Sequence, residues 1–530
     1  MRDNFSGIWI AILGFVAGIL ATFLYVRIDK NRHYLKTEYS DWRKLNLVLQ
    51  SLDENYVDTI DRKKVTDAAV TAALAALDPH SMYMPPVLLK ESEDELQGNF
   101  EGIGIQFNVP NDTAIVLEAI SGGPAEKIGL QPGDRLLKVD EIDIAGVKYP
   151  QDSMVRRMKG PSGTKVKITV KRDRDIIPFE ITRDKIPMHS VDAAFMVDDT
   201  TGYLRLSSFS RTTNTEVISR VMQMPDMKRL ILDLRSNTGG YFDQALLLSN
   251  LFLEKGAPIV YMEGRNRRRE EYKADGKGLL KDIALTVLVD EGSASSSEIV
   301  AGAIQDNDRG IIVGRRTFGK GLVQEPLYFT DGSGLRITVA RYHTPSGRCI
   351  QKPYGSVEEY EYDIYRRYTD GELLSADNIK VDTSQVYKTI GGRTVYGGGG
   401  IMPDVFVPID TTKASSFYMA CNRKATAMRF ASAWFDAHSA ELQSITDFPA
   451  LTRYLDNAGL EAAFLSFAAN KDGLRPKSRA EWASERSYMI TQVRALVGRY
   501  SKLGDDAFYH IYLDVDNVFE EAMKAGVNLQ

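Results

Sequence analysis

The stretch EGSASSSEIVAG, residues 291 to 302, holds four serines close together: Ser293, Ser295, Ser296 and Ser297. The apolar stretch ALTVLVDEG leads into it and an amphipathic pattern follows, which predicts a buried strand, a sharp turn and a helix. A serine at such a turn can act as a nucleophile, because N–H groups at the start of the helix stabilise an oxyanion. Helix capping explains the same residues without chemistry, so the stretch alone leaves both interpretations open.

A nucleophilic serine needs a base, and none of the six histidines lies in a glycine-framed turn that points at this helix. The stretch GRRTFGKGLVQ, residues 314 to 324, offers Lys320 between two glycines instead. A lysine acts as a base only when neutral, so its pKa must fall from ~10.4 towards 7 or 8 by desolvation. Taken alone, Lys320 is better explained as a surface residue of a glycine-rich loop.

Together the two stretches resemble the carboxyl-terminal processing peptidases, the S41 serine peptidases. Four further segments agree in type and order: LDPHS, GIGI…GGPAEKIGLQPGDRLLKVD, LILDLRSNTGG and RYHTPSGRCIQ…GGGGIMPDV. The resemblance extends from about Leu45 to Val407. It implies a multidomain α/β fold, with a crotonase-like ββα peptidase core and a β-rich PDZ domain before it. This agrees with the alternation of strands and helices from about residue 184.

The resemblance also assigns roles to individual residues. It makes Ser295 the nucleophile and Lys320 the general base of an acyl-transfer reaction. Gln324 is the residue that positions the lysine in some members, and a helix or tight turn after Lys320 would bring it within reach. Asp306 corresponds to an acidic residue that supports activity in some members.

The oxyanion donors implied by the resemblance are backbone N–H groups. They fall on Gly240, with Gly239 as the alternative, and on Ser296. This sequence has Ser296 where the family has alanine, which leaves the N–H unchanged but adds a fallback nucleophile. The resemblance implies no metal and no organic cofactor.

Residues 91–183 resemble a PDZ domain. Its carboxylate-binding loop would be Gly102, Ile103, Gly104 and Ile105, beside which the C-terminus of a protein or peptide substrate adds as a strand. Because the two isoleucines would line the pocket, we expect a preference for apolar C-terminal residues.

The length of 530 residues predicts several domains, and the net charge of -5 gives no reason to expect nucleic acid as a partner. The predicted segments are a tail at 1–6, a transmembrane anchor at 7–26, a helical region at 27–90, the PDZ domain at 91–183, the peptidase core at 184–410 and a helical extension at 411–530. Whether the extension packs on the core or forms an oligomer interface is left open, as is an adaptor protein.

The N-terminal run Gly7–Val26 is uncharged, apolar and long enough to cross a ~30 Å hydrocarbon core. Its length and the lack of an A-x-A site favour an uncleaved anchor over a cleaved signal peptide. Four basic residues follow the run between positions 27 and 36, which by itself predicts a cytoplasmic location for the rest of the chain. The resemblance implies the opposite: a single-pass inner-membrane protein whose catalytic part faces the periplasm.

Three other functions fit parts of the sequence. They are a ligand-binding protein on the same core, a catalytically silent PDZ scaffold, and an acyl-CoA enzyme on a crotonase-like layer. The joint presence of Ser295, Lys320 and Gln324, with an intact LRSNTGG turn, favours the peptidase over all three.

Overall fold

The computed structural model describes residues 40–109, 112–120, 122–172, 174–411 and 415–525. The predicted membrane anchor at residues 7–26 lies outside these ranges. Within them, no helix combines the length and the apolar character that crossing a membrane requires. The chain divides into a first unit, residues 1–73, and a second unit, residues 74–530.

The described part of the first unit is helical. It contains α1 (Ser40–Asn55) and most of α2 (Arg62–Ala75). The second unit begins with a short strand, β1 (Met82–Met84), and the helix α3 (Pro86–Gln97). The boundary predicted at residues 90 and 91 falls inside α3, because Pro86 starts this helix and Gly98, with φ of 71°, ends it.

The PDZ domain is a small sheet closed by two short helices. Its elements are β2 (Asn99–Gly102), β3 (Ile105–Asn108), β4 (Ala114–Ala119), α4 (Pro124–Lys127), β5 (Arg135–Val139), β6 (Ile142–Asp143), α5 (Gln151–Met158), β7 (Lys165–Arg172), β8 (Asp175–Thr182) and β9 (Asp184–Pro187). The sheet order is β3-β4-β5-β7-β8, with β6 beside β5, while β2 and β9 pair separately. Strand β3 is therefore an edge strand, paired with β4 alone among the described strands.

A six-stranded sheet forms the centre of the predicted peptidase core, in the order β10-β11-β12-β15-β16-β21. Its elements and helices are β10 (Val191–Met196), β11 (Thr201–Leu206), α6 (Thr213–Val221), β12 (Arg229–Asp233), α7 (Phe242–Asn250), β15 (Ala284–Val289), α8 (Ser296–Asp306), β16 (Ile311–Gly314) and β21 (Val405–Phe406). All pairs except β10 with β11 are parallel. Parallel strands are buried on both faces, which accounts for the nearly continuous apolar runs LIL and LTVLV.

A second sheet lies in the order β1-β18-β13-β14, with β17 also paired to β18. Its strands are β13 (Pro258–Gly264), β14 (Arg267–Lys273), β17 (Leu322–Tyr328) and β18 (Gly334–His343). The segment that connects β18 to β21 contains α9 (Val357–Glu361), α10 (Asp363–Thr369), β19 (Val386–Lys388) and β20 (Thr394–Tyr396).

The C-terminal extension is helical, as predicted, and packs on the rest of the second unit. Its helices are α11 (Ser416–Arg423), α12 (Thr426–Ser444), α13 (Phe448–Asn457), α14 (Leu460–Asp472), α15 (Arg479–Gly498), α16 (Gly504–Tyr512) and α17 (Asn517–Ala525). Ion pairs join it to the core, where Arg220 meets Asp506 at 2.6 Å, and to the PDZ domain, where Arg135 meets Asp436 at 2.7 Å.

The last helix of the extension also completes the core. Side chains alternate across a strand, so Leu204 packs towards helices α6 to α8 while its neighbour Tyr203 points to the opposite face. Val518 and Phe519 of α17 cover that opposite face. The central sheet is thus buried on both sides, as a parallel sheet requires.

Candidate active site

The serine-rich turn lies between β15 and α8. Three of its four serines donate their hydroxyls to backbone carbonyls of residues 234–240, at 2.8 to 3.0 Å: Ser293, Ser296 and Ser297. These bonds fasten the turn to the loop that follows β12. The remaining serine, Ser295, is the residue that caps the helix.

Ser295 has an unusual backbone conformation, with φ of 54° and ψ of -112°. A non-glycine residue in such a region costs on the order of 1–3 kcal/mol and persists only where the surrounding structure enforces it. A strained residue at a strand-to-helix turn is typical of a nucleophile, because the turn exposes its hydroxyl beside the helix N-terminus. This conformation favours the catalytic interpretation of Ser295 over simple capping.

The glycines of the LRSNTGG turn lie directly against this residue. A Cβ on Gly239 would stand 2.7 Å from Ser295 Cβ, so only glycine permits the approach. The Gly239 carbonyl accepts the N–H of Phe209 at 3.0 Å, and in a planar trans peptide the N–H of Gly240 must then point away from Phe209. The N–H of Gly239 is bonded to Asn237 Oδ1 at 2.9 Å. Of the two alternatives, Gly240 is therefore the better oxyanion donor.

Ser296 holds the oxyanion turn in place. Its N–H is at the first position of α8, where no intrahelical acceptor exists. Its side chain is buried, and its hydroxyl donates to the Gly240 carbonyl at 3.0 Å. The hydroxyl that departs from the family pattern thus has a structural partner, which argues against Ser296 as a fallback nucleophile.

Gly239→Ala should lower kcat by about 10²-fold, the usual cost of losing one oxyanion donor, because the new Cβ pushes the turn away from Ser295. Gly256→Ala is the matched control: Gly256 has φ of 84°, but a Cβ there meets nothing within 4 Å. The control should lose about 1–2 kcal/mol of stability from the positive φ and keep its kcat. Equal kcat values in the two variants would contradict the assigned turn.

Glu298 joins the serine-rich turn to the loop that carries Lys320. Its carboxylate is fully buried and accepts the backbone N–H groups of Ser295 at 2.9 Å, Gly319 at 2.7 Å and Lys320 at 2.8 Å, together with the Thr317 hydroxyl at 2.5 Å. Burial raises the pKa of Glu298, and the four donors oppose that rise. One side chain therefore fixes the backbone of both candidate catalytic residues.

Tyr342 makes a second bridge between the same segments. Its buried hydroxyl lies 3.1 Å from the carbonyl oxygen of Ser295 and also bonds the carbonyl of Lys320. Tyr342 is on β18, and alternate residues of that strand face the same side. Sequence reasoning missed both Glu298 and Tyr342: the S-x-x-E spacing predicts only a capping residue, and nothing local indicates the tyrosine contact.

Lys320 has the environment that a neutral lysine requires. Burial, followed by the positive charge of Arg336, lowers its pKa to about 8, while Glu298 and Asp78 act in the opposite direction. Ser295 and Lys320 both lie in the part of the chain that the structure describes, and no hydrogen bond there joins Lys320 Nζ to Ser295 Oγ. Catalytic hydrogen bonds are commonly long before substrate binds, and the two backbones are already joined through Glu298.

Gln324 forms its side-chain hydrogen bond with a residue other than Lys320. The segment after Lys320 is the strand Leu322–Tyr328 rather than a helix or tight turn, so the predicted route from Gln324 to the lysine is wrong. The Gln324 amide donates instead to the carbonyl of His80 at 2.6 Å. The His80 ring bonds the Tyr360 hydroxyl at 2.7 Å, and burial, with the charge of Lys320, lowers its pKa to about 4.

Asp306 lies at the other end of α8, roughly 15 Å along the helix from Ser295. It is fully buried and pairs with the equally buried Arg348 at 2.8 Å, and it accepts the N–H of Ser346 at 3.1 Å. Asp306 thus holds the turn after β18 against the end of α8, and its support of activity stays a prediction.

The carboxylate-binding loop predicted in the PDZ domain connects β2 to β3. The carbonyls of Ile103 and Gly104 accept the N–H groups of Ala125 and Ile120, each at 2.9 Å. These bonds orient the loop. Ile103 is buried in the PDZ core and Gly102 pairs with β9, whereas Ile105 is half-buried.

The described residues contain no group of three or more His, Cys, Asp or Glu side chains suited to a metal ion. A strained serine and a lysine of lowered pKa, joined through Glu298, are the groups that an acyl transfer to serine would use.

Comparisons with known proteins identify the family of the chain. The family model of peptidase family S41 matches residues 200–362, and that of the PDZ domain matches residues 102–182. The chain is 32% identical over 395 residues to the carboxy-terminal processing protease CtpA of Bacillus subtilis (strain 168), which covers 71% of this chain and 83% of that protein. A probable CtpA-like serine protease of Staphylococcus aureus (strain N315) is 31% identical over 356 residues, 66% of this chain and 71% of that protein. Among solved structures, the photosystem II D1 C-terminal processing protease is 25% identical with a TM-score of 0.38, covering 70% of this chain and 88% of that one.

Proposed function

This chain belongs to peptidase family S41, among the carboxy-terminal processing serine proteases that carry a PDZ domain, and we propose that Ser295 is its nucleophile and Lys320 its general base. The observation that carries the proposal is the double connection between the two residues. Glu298 accepts both N–H groups, and the Tyr342 hydroxyl bonds the Lys320 carbonyl and lies 3.1 Å from that of Ser295, so the strained serine and the lysine of lowered pKa are held in one unit.

The reaction proceeds through an acyl-enzyme. Neutral Lys320 removes the proton of Ser295 Oγ as the oxygen attacks the substrate carbonyl, and the N–H groups of Gly240 and Ser296 stabilise the oxyanion. Protonated Lys320 then gives its proton to the leaving amine as the peptide bond breaks. Water, deprotonated by Lys320, attacks the ester; Lys320 returns that proton to Ser295 Oγ as the ester bond breaks, which releases the new carboxyl terminus and restores both residues.

The PDZ domain supplies substrate recognition in this proposal. The C-terminal carboxylate of a polypeptide binds at Gly102–Ile105, and the segment before it adds as a strand along the open edge of β3. Two observations support this: β3 is an edge strand, and the loop carbonyls are held by Ala125 and Ile120. Ile105, which is half-buried, gives the apolar preference predicted for the last substrate residue, whereas Ile103 is buried in the PDZ core and does not line an open pocket.

Amidation of the substrate C-terminus should lower kcat/KM by about tenfold or more, because bonds from N–H groups to a carboxylate contribute about 1.5–3 kcal/mol. The measurement compares one unstructured polypeptide in its free-acid and amidated forms, and with a final leucine or aspartate. The leucine free acid should be cleaved fastest. Equal cleavage of all forms would contradict PDZ recognition, and no cleavage of any form would contradict the peptidase itself.

The chain is, in the same proposal, a single-pass protein of the bacterial inner membrane with residues 27–530 in the periplasm. The apolar run at residues 7–26 and the behaviour of bacterial family members support this location. Added protease should digest the chain in spheroplasts, from which the outer membrane has been removed; protection in intact spheroplasts would place it in the cytoplasm.

A further inference from the structure

The C-terminal extension lies against the face of the PDZ domain beside its peptide edge. Arg135 of β5 pairs with Asp436 of α12 at 2.7 Å, and Leu117 of β4 packs into the apolar cluster of the extension. The extension is therefore part of the immediate surroundings of the PDZ strand that receives a substrate.

A cavity of about 230 Å³ lies between the PDZ domain and the C-terminal extension. The PDZ domain contributes Gln106, Asn108 and Leu117, and the extension contributes Met428, Leu496 and Tyr500.

The charged groups of the cavity neutralise each other. Arg499 and Asp505, which also line it, form an ion pair at 2.6 Å. The extension also contributes the apolar side chains of Met428 and Leu496 and the ring of Tyr500, and Met428 is 49% exposed. Such a cavity favours a large apolar side chain over a charged one.

The geometry of β3 determines which substrate residues face this cavity. Successive side chains of a strand point to opposite faces, and directly paired residues share a face. Ile105 and Phe107 pack on the PDZ core, whereas Gln106 and Asn108 line the cavity. With the carboxylate at Gly102–Ile105, the last and third-last substrate residues face the PDZ core, and the second-last and fourth-last residues face the cavity.

We propose that the C-terminal extension completes the substrate site by receiving a large apolar side chain from the second-last or fourth-last substrate residue. This inference rests on the proposed function, because it requires a substrate strand beside β3. The extension then determines specificity at the second-last and fourth-last substrate residues, which the PDZ domain alone does not contact with its core face.

The test uses the full chain carrying Ser295→Ala, so that peptides bind without being cleaved, and measures Kd by fluorescence anisotropy. Peptides share a C-terminal leucine and carry leucine or aspartate at the second-last and fourth-last positions. The chain should prefer leucine by about tenfold, the effect of burying one apolar side chain in part.

Met428→Lys should abolish or reverse that preference, since it removes apolar contact and attracts aspartate. Met428→Ala should reduce it. Met419→Lys is the matched control, because Met419 is 44% exposed on α11 of the same extension and does not line the cavity. The control should keep the preference.

The outcomes separate this inference from the function on which it rests. If amidation of the peptide abolishes binding but both Met428 variants keep the full preference, the extension is not part of the site while PDZ recognition stands. If amidated and free peptides bind equally, both PDZ recognition of the C-terminus and the proposed role of the extension are wrong. A preference lost equally in the Met419→Lys control would also overturn the inference.

Discussion

Lys320→Ala is expected to lower kcat by about 10³-fold or more, within the range attributed to a lost general base, while KM changes only a few-fold. Lys320→Arg should be equally inactive, because a guanidinium keeps its proton and cannot serve as base. Steady-state kinetics on one quenched peptide substrate would measure both.

The pH profile of the wild-type chain gives a second readout of the same residue. Lys320 is a base only when neutral, and its pKa is lowered to about 8. Activity should therefore be low at pH 6, rise through about pH 8 and level off above it. The residual activity of Lys320→Ala should lack this rise.

Lys352→Arg is the control, because Lys352 is also a buried lysine whose pKa burial lowers. It pairs with Asp363 at 3.0 Å, a contact that arginine can keep. This variant should retain the wild-type profile. Full activity in Lys320→Ala, or loss of the pH rise only in Lys352→Arg, would contradict the assigned base.

Glu298→Gln is expected to cost about 2–4 kcal/mol of stability, because at least one of its four donors loses its acceptor in a buried site at 1–3 kcal/mol each. The side-chain amide of the variant has one oxygen where the carboxylate has two. Its NH₂ group would face backbone N–H donors that had bonded the lost oxygen. Since Ser295 and Lys320 both lose a shared anchor, kcat should fall by about 10²-fold as well.

Denaturant unfolding and kinetics, performed on the same preparation, separate the two effects. The matched control is Glu291→Gln in the same turn, which affects the ion pair with Arg315 at 2.7 Å. That variant should lose less stability and keep kcat within a few-fold. A folded Glu298→Gln chain with wild-type kcat would show that the bridge is not needed for catalysis.

The sequence was most informative where a short segment determines its own geometry. The pattern of strand, turn and helix around Ser295 is local, and so are the glycines on either side of Lys320. Family resemblance connected the two, and the predicted α/β core with a PDZ domain is the fold observed. The roles of the site residues themselves stay predictions.

The features that could not be predicted from the sequence depend on contacts between segments that are distant along the chain. Glu298 appears in the sequence as a helix cap, but three of its bonds go to residues 317–320, which only the tertiary structure brings near. Tyr342 reaches the site from β18, and Gln324 is directed to His80 because its segment pairs as a strand. The position of the extension on the PDZ domain likewise has no local signal.

The most direct test of the account is degradation of an unfolded protein with an apolar C-terminus by the wild-type chain, Ser295→Ala and Ser296→Ala. The account predicts that Ser295→Ala is inactive, whereas Ser296→Ala retains activity within about tenfold, because its N–H remains and only the bond to the Gly240 carbonyl is lost. Activity retained by Ser295→Ala, or lost only in Ser296→Ala, would contradict the assignment of Ser295 as the nucleophile.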